Sequence, residues 1–176
     1  MGSIENITIK HILNRRSVRK FKEHEISREI ITELLKAAMN APSACNQQCW
    51  HFIIVNAKEV LNELSTIHGG YHTIANTPTA IVVCGEPGRA ILPSFWEHDC
   101  AAATENILIA AEAFGLGAVW QGVNPAAKEE VALVSKYLKL PDQIKPFSIV
   151  SLGYRAENVD SQDKFNPDKI HFNSCW

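Results

Sequence analysis

Four basic side chains, Arg15, Arg16, Arg19 and Lys20, fall within six positions, with the hydroxyl of Ser17 among them. A guanidinium is a planar fork of N–H donors that matches phosphate oxygens, and a hydroxyl adds one more donor. The stretch Arg-Arg-Ser-Val-Arg-Lys-Phe over 15–21 is therefore suited to a phosphate; the plain alternative is a solvated basic turn between two helices. A second stretch, Pro42-Ser43-Ala44-Cys45-Asn46-Gln47-Gln48, offers hydroxyl and amide groups. Amides both donate and accept, which suits a heterocycle edge carrying N–H and C=O groups; the alternative is a polar loop that satisfies its own backbone. A third, Gln121-Gly122, ends a short strand behind a long apolar helix, and its glycine would let a flat ring approach the backbone.

Other chemistries find less support. His68 and His72 are four apart, but Gly69-Gly70 between them argues against the helix that would put both on one face. His98-Asp99 pairs with nothing at a metal-ligand spacing, so no metal is expected. Cys45 and Cys49 stand in a loop without a His and an acid to activate them, and no Gly-x-Ser-x-Gly elbow is present. No catalytic side chain is assigned. Gly115-Leu-Gly117-Ala-Val-Trp120 lacks the third glycine of a dinucleotide fingerprint and follows a helix. With no Walker loop either, a phosphate must be held by side chains, which favours 15–19.

The 176 residues are 46% hydrophobic and 20% charged with a formal net charge of −2, as expected of one soluble domain spanning 1–176. The arginine group is thus a local feature, and a general nucleic-acid binder is not expected. No apolar run approaches the roughly 20 residues that cross a bilayer. The start, Met-Gly-Ser-Ile-Glu-Asn, has no apolar signal region, and Asn6 stands where a myristoylation site has Ser or Thr. Five cysteines without a CxxC pair then read as reduced thiols of a cytoplasmic protein.

These stretches need elements to position them. Apolar spacing predicts a short helix over 7–14 leading into the arginine group. Ser27 caps a second helix whose stripe Ile31, Leu34, Leu35, Ala38 runs to about Ala41, where Pro42 ends it. Trp50–Asn56 reads as a strand, 58–67 as a helix and 69–78 as a loop. Thr79–Cys84 reads as a strand buried on both faces. The longest helix, 95–114, is apolar around most of its circumference and so belongs in a core or a subunit interface; Gly115 and Gly117 end it. A short strand follows over 118–121. Asn124 and Pro125 open another helix to about Leu140, and 147–152 is a last strand. The tail from Tyr154 to Trp176 has too little apolar content to pack on itself, with Ile170, Phe172 and Trp176 as anchors for a groove. Few strands without regular βαβ alternation indicate an α+β layer fold.

Taken together and in order, these stretches resemble the FMN-dependent nitroreductase family. Arg15–Phe21 is similar to its opening motif, Ala41–Trp50 to its second, Gly115–Gly122 to its third, and the tail from Asp163 to Phe172 to its fourth. The resemblance covers nearly the whole chain, from Ile7 to Trp176. It implies a central, mostly antiparallel mixed sheet flanked by helices and a homodimer with two FMN molecules at the interface, the C-terminal tail embracing the partner. It implies that Arg15, Arg16, Ser17 and Arg19 hold the phosphate, the ribityl chain and the polar edge of the flavin. Pro42, Ser43 and Asn46 come from the other subunit, and Gln121 and Gly122 lie by the ring near its reactive nitrogen. Lys164, with Arg155 as a competing candidate, adds charge at the phosphate. The implied activity is reduction of nitroaromatics, quinones or similar flat oxidants by NADH or NADPH, hydride passing through flavin N5 in a ping-pong cycle. The alternatives on this fold are a flavin-dependent dehydrogenase or a flavin-binding regulator. The chain departs from the pattern at Cys49, where Pro usually precedes the Trp, and at Arg155, where Pro commonly follows Gly-Tyr. It is also short for the family, so no added lid over the flavin is expected.

Overall fold

The computed structural model describes residues 6–160 and 162–173. Cys175 and the expected anchor Trp176 lie outside them. Among the described residues, five α-helices and four strands follow in the order α1 (Ile7–Asn14), α2 (Arg28–Met39), β1 (Trp50–Val55), α3 (Lys58–Ser65), β2 (Thr79–Gly85), α4 (Trp96–Ala113), β3 (Leu116–Gly122), α5 (Lys128–Leu138) and β4 (Lys145–Tyr154). The sheet order is β1-β2-β4-β3, and every neighbouring pair of these strands is antiparallel. A parallel element enters only as an isolated bridge between Ser17 and Ala118. This is the expected α+β fold.

Strand alternation divides the core in two. Ile81, Val83, Val150, Leu152, Leu116 and Ala118 face α2 and α4, whereas Ala80, Val82, Val55 and Ile149 face the layer of α3 and α5. Helices cover both faces, which is why β2 is buried at every position. In α4 the side chains of Cys100, Ala103, Ile107 and Ala111 are fully buried, while Ala101, Glu105 and Ile109 on another side are half-buried. By contrast, α1 buries none of its residues; Ile7, Ile9, Ile12 and Leu13 are all exposed, as are Phe165, Ile170 and Phe172 of the tail. None of the described helices is long and apolar enough to cross a membrane.

Caps explain most boundaries. The Asn6 side chain accepts from Thr8 N and Ile9 N to start α1, and Ser27 Oγ accepts from Ile30 N to start α2. Three expectations need correction. The Asn124 side chain accepts from Ala126 N in a turn that precedes α5, so the helix begins at Lys128. Residues 69–76, expected as a loop, form 3₁₀ turns in which Tyr71, Thr73 and Ile74 are buried. Gly117 lies inside β3; the helix-ending residue is Gly115, at φ 70.

Gly117 has a different purpose. A Cβ there would stand 2.6 Å from Val18 Cγ1 and 2.8 Å from Val18 Cβ. Val18 is fully buried, and its N–H donates to Ala118 O at 3.0 Å. The glycine thus lets the arginine segment lie directly on β3. Gly117→Ala is expected to lower stability by about 1–3 kcal/mol, the usual range for overpacking, as read from urea unfolding; an unchanged midpoint would show that Val18 yields without cost.

Candidate functional site

The N-terminal arginines separate into three environments. Arg15 Nε meets Glu105 Oε1 of α4 at 3.2 Å, and its two Nη groups have no partner among the described residues. Arg16 is engaged with backbone carbonyls: Nη1 donates to Leu13 O at 2.8 Å and Arg15 O at 2.6 Å. Its Nε and Nη2 reach Asp160 O at 3.1 Å and Gln162 O at 3.2 Å. Arg16 therefore braces the tail against the end of α1. That brace brings Lys164 into a groove of about 630 Å³ shared with Arg15, Arg16 and Phe165. Arg19 lies in a separate groove of about 640 Å³ with His24, Lys58 and Asn76, and its N–H donates to Glu157 Oε1 at 3.0 Å. That contact, with Lys20 nearby, holds the Glu157 carboxyl below its usual range. Between them, Ser17 is half-buried, its hydroxyl without a partner among the described residues.

Arg155 is placed elsewhere. Its Nε donates to Leu116 O at 3.1 Å and its Nη2 pairs with the Glu112 carboxylate, which fastens the end of α4 to the start of β3. Lys164, with no such partner among the described residues, is the cation that shares the Arg15 groove.

The third stretch sits on the open edge of the sheet. Val123 N donates to Phe147 O at 2.9 Å, and Ala118 O accepts from Val18 N. In an antiparallel ladder, inward and outward residues alternate. The N–H groups of Trp120 and Gly122 therefore point away from β4, toward the edge, beyond the Ser17 bridge. The Gln121 side chain does not: it is buried and bonds to Ser151 Oγ at 3.1 Å. Any contribution of Gln121 to an edge ligand is through backbone, not amide. Trp120 packs on Phe147, which packs on Trp96, giving this edge an aromatic backing.

Gly122 is anchored by residues the sequence reading did not single out. The Tyr71 hydroxyl lies 3.0 Å from Gly122 O and 2.5 Å from Glu130 Oε1, which also accepts from Asn124 N at 3.2 Å. Burial, then the hydrogen bond and charge of Glu130, push the Tyr71 phenol well above its usual value, so it stays a neutral donor. Tyr71→Phe is expected to cost about 1–2 kcal/mol, the range for a lost buried hydrogen bond. Faster amide exchange over 122–124 would mark where the loss falls.

The loop 42–48 precedes β1, at the edge of the sheet opposite β3. Three strand spacings separate the two, roughly 14 Å. Pro42 and Asn46 are exposed and Ser43 half-buried, so within one chain they stand apart from Arg15. The loop is held by Asp99, weighed in the sequence only as a metal ligand and not for this role. This acid is 3% exposed in the first turn of a largely apolar helix, and its place directly before the run Cys100-Ala101-Ala102-Ala103 was the available signal. The Cys49 thiol is 3.6 Å from Asp99 Oδ2; burial first, and then Asp99, push it up to about 11, which leaves it protonated near neutral pH. Burial likewise raises Cys84 and Cys100. Cys45, Cys49, Cys84 and Cys100 are all free. His68 and His72, considered as ligands, bond within their own turn, to Gly70 N and Gly69 O.

A family model described as the nitroreductase family matches residues 12–70 and 67–154. The chain belongs to the nitroreductase family. A nitroreductase relative from Archaeoglobus fulgidus, provisionally named an NADH dehydrogenase/NAD(P)H nitroreductase, is 45% identical over 167 residues, 93% of this chain and 95% of that protein. The crystal structure of a protein provisionally given the same name, from Parabacteroides distasonis, is 38% identical with a TM-score of 0.92, covering 98% of this chain and all of that one. An FMN-dependent nitroreductase from Clostridium difficile R20291 is 31% identical with a TM-score of 0.88, covering 95% of this chain and 99% of that one. Both departures from the nitroreductase pattern have local partners here. Cys49 packs against Asp99, and Arg155 pairs with Glu112.

Proposed function

We propose that this nitroreductase is an FMN-dependent oxidoreductase of the cytoplasm that takes hydride from NADH or NADPH and passes it, through flavin N5 in a ping-pong cycle, to nitroaromatics, quinones or similar flat oxidants. The names of its relatives support the cofactor and the reductant. The single observation that carries the reading is the open edge of β3, where the arginine segment docks at one end through the Ser17–Ala118 bridge and the exposed Gly122 further along presents an outward N–H, unpaired among the described residues. The residues suit FMN. The Nη groups of Arg15 and the ammonium of Lys164, without partners among the described residues, offer cationic donors in one groove, as a phosphate requires. Ser17 offers a hydroxyl between that groove and Arg19, whose cation suits the polar edge of the ring. Arg16 holds the tail that carries Lys164. Arg155, fastened to Glu112, is the weaker candidate of the two cations.

Bound FMN supplies the redox chemistry, and the chain supplies orientation and electrostatics. The outward N–H of Gly122, with the backbone of Gln121 beside it, would serve as a donor to the ring's reactive nitrogen and its neighbouring oxygen. Tyr71 and Glu130 hold the chain just after that donor, at the Gly122 carbonyl and at Asn124 N, so donating from Gly122 needs little reorganisation. Cationic Arg19 would favour negative charge on the polar edge of a reduced ring. No side chain is assigned as a proton donor, and solvent serves that role.

The site is completed by a second copy of the chain. Pro42, Ser43 and Asn46 belong to the far edge of the sheet, and the exposed apolar residues of α1 and the tail, with Ile109 of α4, offer a surface for a partner. We place two FMN molecules at a homodimer interface with each tail reaching across. The protein as isolated, or after adding FMN, should show flavin absorption and elute as a dimer. A colourless monomer that ignores FMN would overturn the proposal, and steady-state NAD(P)H oxidation with a quinone or nitroaromatic acceptor separates a reductase from a flavin-binding regulator.

A further inference from the structure

The 42–48 loop holds three non-glycine residues in the left-handed region: Cys45 at φ 50, Asn46 at φ 52 and Gln48 at φ 46. Residues in that region persist where the surrounding structure imposes it. Within the loop, Gln48 N donates to Ser43 Oγ at 3.1 Å; from outside it, the loop is held by the carboxylate of Asp99. Its Oδ1 accepts from Ala44 N at 2.8 Å and its Oδ2 from Gln47 Nε2 at 2.5 Å, so it grips the loop on both sides of Cys45-Asn46. The Cys49 thiol closes the set. Gln47 extends the grip: its amide donates to Leu92 O at 3.3 Å and accepts from Leu92 N at 2.9 Å. Asp99 has no cationic partner among the described residues. Its charge is met by these donors and by the positive end of α4. A buried carboxylate so compensated needs the loop in this shape, and the loop needs the carboxylate.

Resting on the reading that Ser43 and Asn46 reach the FMN bound by the other chain, we propose that Asp99 is a positioning residue acting across the dimer interface. It holds the 42–48 loop of its own chain in the form that completes the flavin site built on the partner subunit's Arg15. Asp99 would not touch the cofactor. Its effect on binding would pass through Ala44 and Gln47 to the loop tip.

Because each site then draws Arg15 from one chain and the loop from the other, complementation tests the proposal. Asp99→Asn keeps the shape of the side chain but lacks the acceptor that Gln47 Nε2 uses. The Asp99→Asn homodimer is expected to bind FMN at least tenfold more weakly than wild type, at unchanged dimer mass. Gln47→Ala should shift affinity in the same direction, and it takes the place of Asp99→Asn in the heterodimer if that variant does not fold. In a purified heterodimer of an Asp99→Asn chain and an Arg15→Ala chain, one site carries both lesions and the other carries neither. One FMN per dimer should then bind with wild-type affinity, by fluorescence titration. If Asp99 acts within its own chain's site, both sites are damaged and no wild-type site appears, which overturns the proposal. An Asp99→Asn homodimer within twofold of wild type overturns it as well. Normal FMN binding by the wild type, without an intact site in the heterodimer, removes only this proposal, whereas failure of the wild type to bind FMN removes the underlying reading and this proposal with it.

Discussion

Arg15→Ala is expected to weaken FMN binding about ten- to a hundredfold. A hydrogen bond to a charged group contributes roughly 1.5–3 kcal/mol, and each 1.4 kcal/mol is about a factor of ten. Among the described residues the terminal N–H groups of Arg15 have no partner, and they line a groove to which Lys164 also contributes. The substitution has a second effect. Glu105, now paired with Arg15 Nε, would be left as a bare carboxylate beside the phosphate site and would repel it. Glu105→Gln in the Arg15→Ala background should therefore recover part of the loss, and Glu105→Gln alone should leave affinity equal or better. Arg15→Lys should fall between, since an ammonium keeps the charge but not the planar fork. Both the wild-type affinity and the loss should shrink as salt rises, because exposed charges are screened. Equilibrium titration by fluorescence quenching reads all of these. Wild-type affinity in Arg15→Ala would move the phosphate to another cation.

Much of this fold was legible in the sequence because its signals are local. The unbroken apolar run of β2 predicted a strand buried on both faces, and that is where β2 lies. Ser27 capped α2 as expected. The stretches at 15–21 and 115–122, which resemble the first and third family motifs, are adjacent in space through the Ser17–Ala118 bridge. What the sequence did not reveal depends on long-range contacts. Lys164 and Arg155 are both cations of the C-terminal stretch after the last strand. Only the fold shows that Glu112 and Leu116 O hold one of them, while the Arg16 brace delivers the other to the Arg15 groove. Gln121 is polar and next to a glycine, yet strand alternation turns its amide inward to Ser151 and leaves the backbone N–H of Gly122 at the edge. Tyr71 lay in a stretch read as loop, and its burial comes from packing of 3₁₀ turns on the α3–α5 side. Asp99 is a single acid whose partners, Ala44 and Gln47, lie more than fifty residues earlier.

The backbone assignment at Gly122 leads to a sharp pair of substitutions. A Cβ at Gly122 would meet nothing closer than Trp120 Nε1 at 3.8 Å, so Gly122→Ala fits the fold and keeps the N–H. Gly122→Pro removes the N–H. A proline inside a sheet ordinarily breaks a ladder bond, but it is tolerated on an edge strand where the N–H faces away from the partner, as here. The residue before a proline prefers extended backbone, which Gln121 already has within β3. The proline variant should therefore fold, and Tyr71 can still reach the carbonyl of residue 122. What it loses is one preorganised donor at the reacting edge of the ring. Losing such a donor typically slows the chemical step by about 10²–10³-fold. Stopped-flow reduction by NADH or NADPH should show a loss of that order for Gly122→Pro and a much smaller one for Gly122→Ala, with FMN still bound by both. Equal rates for the two variants would mean that the N–H does not act on the flavin, and the ring would then have to lie elsewhere than along the open edge of β3.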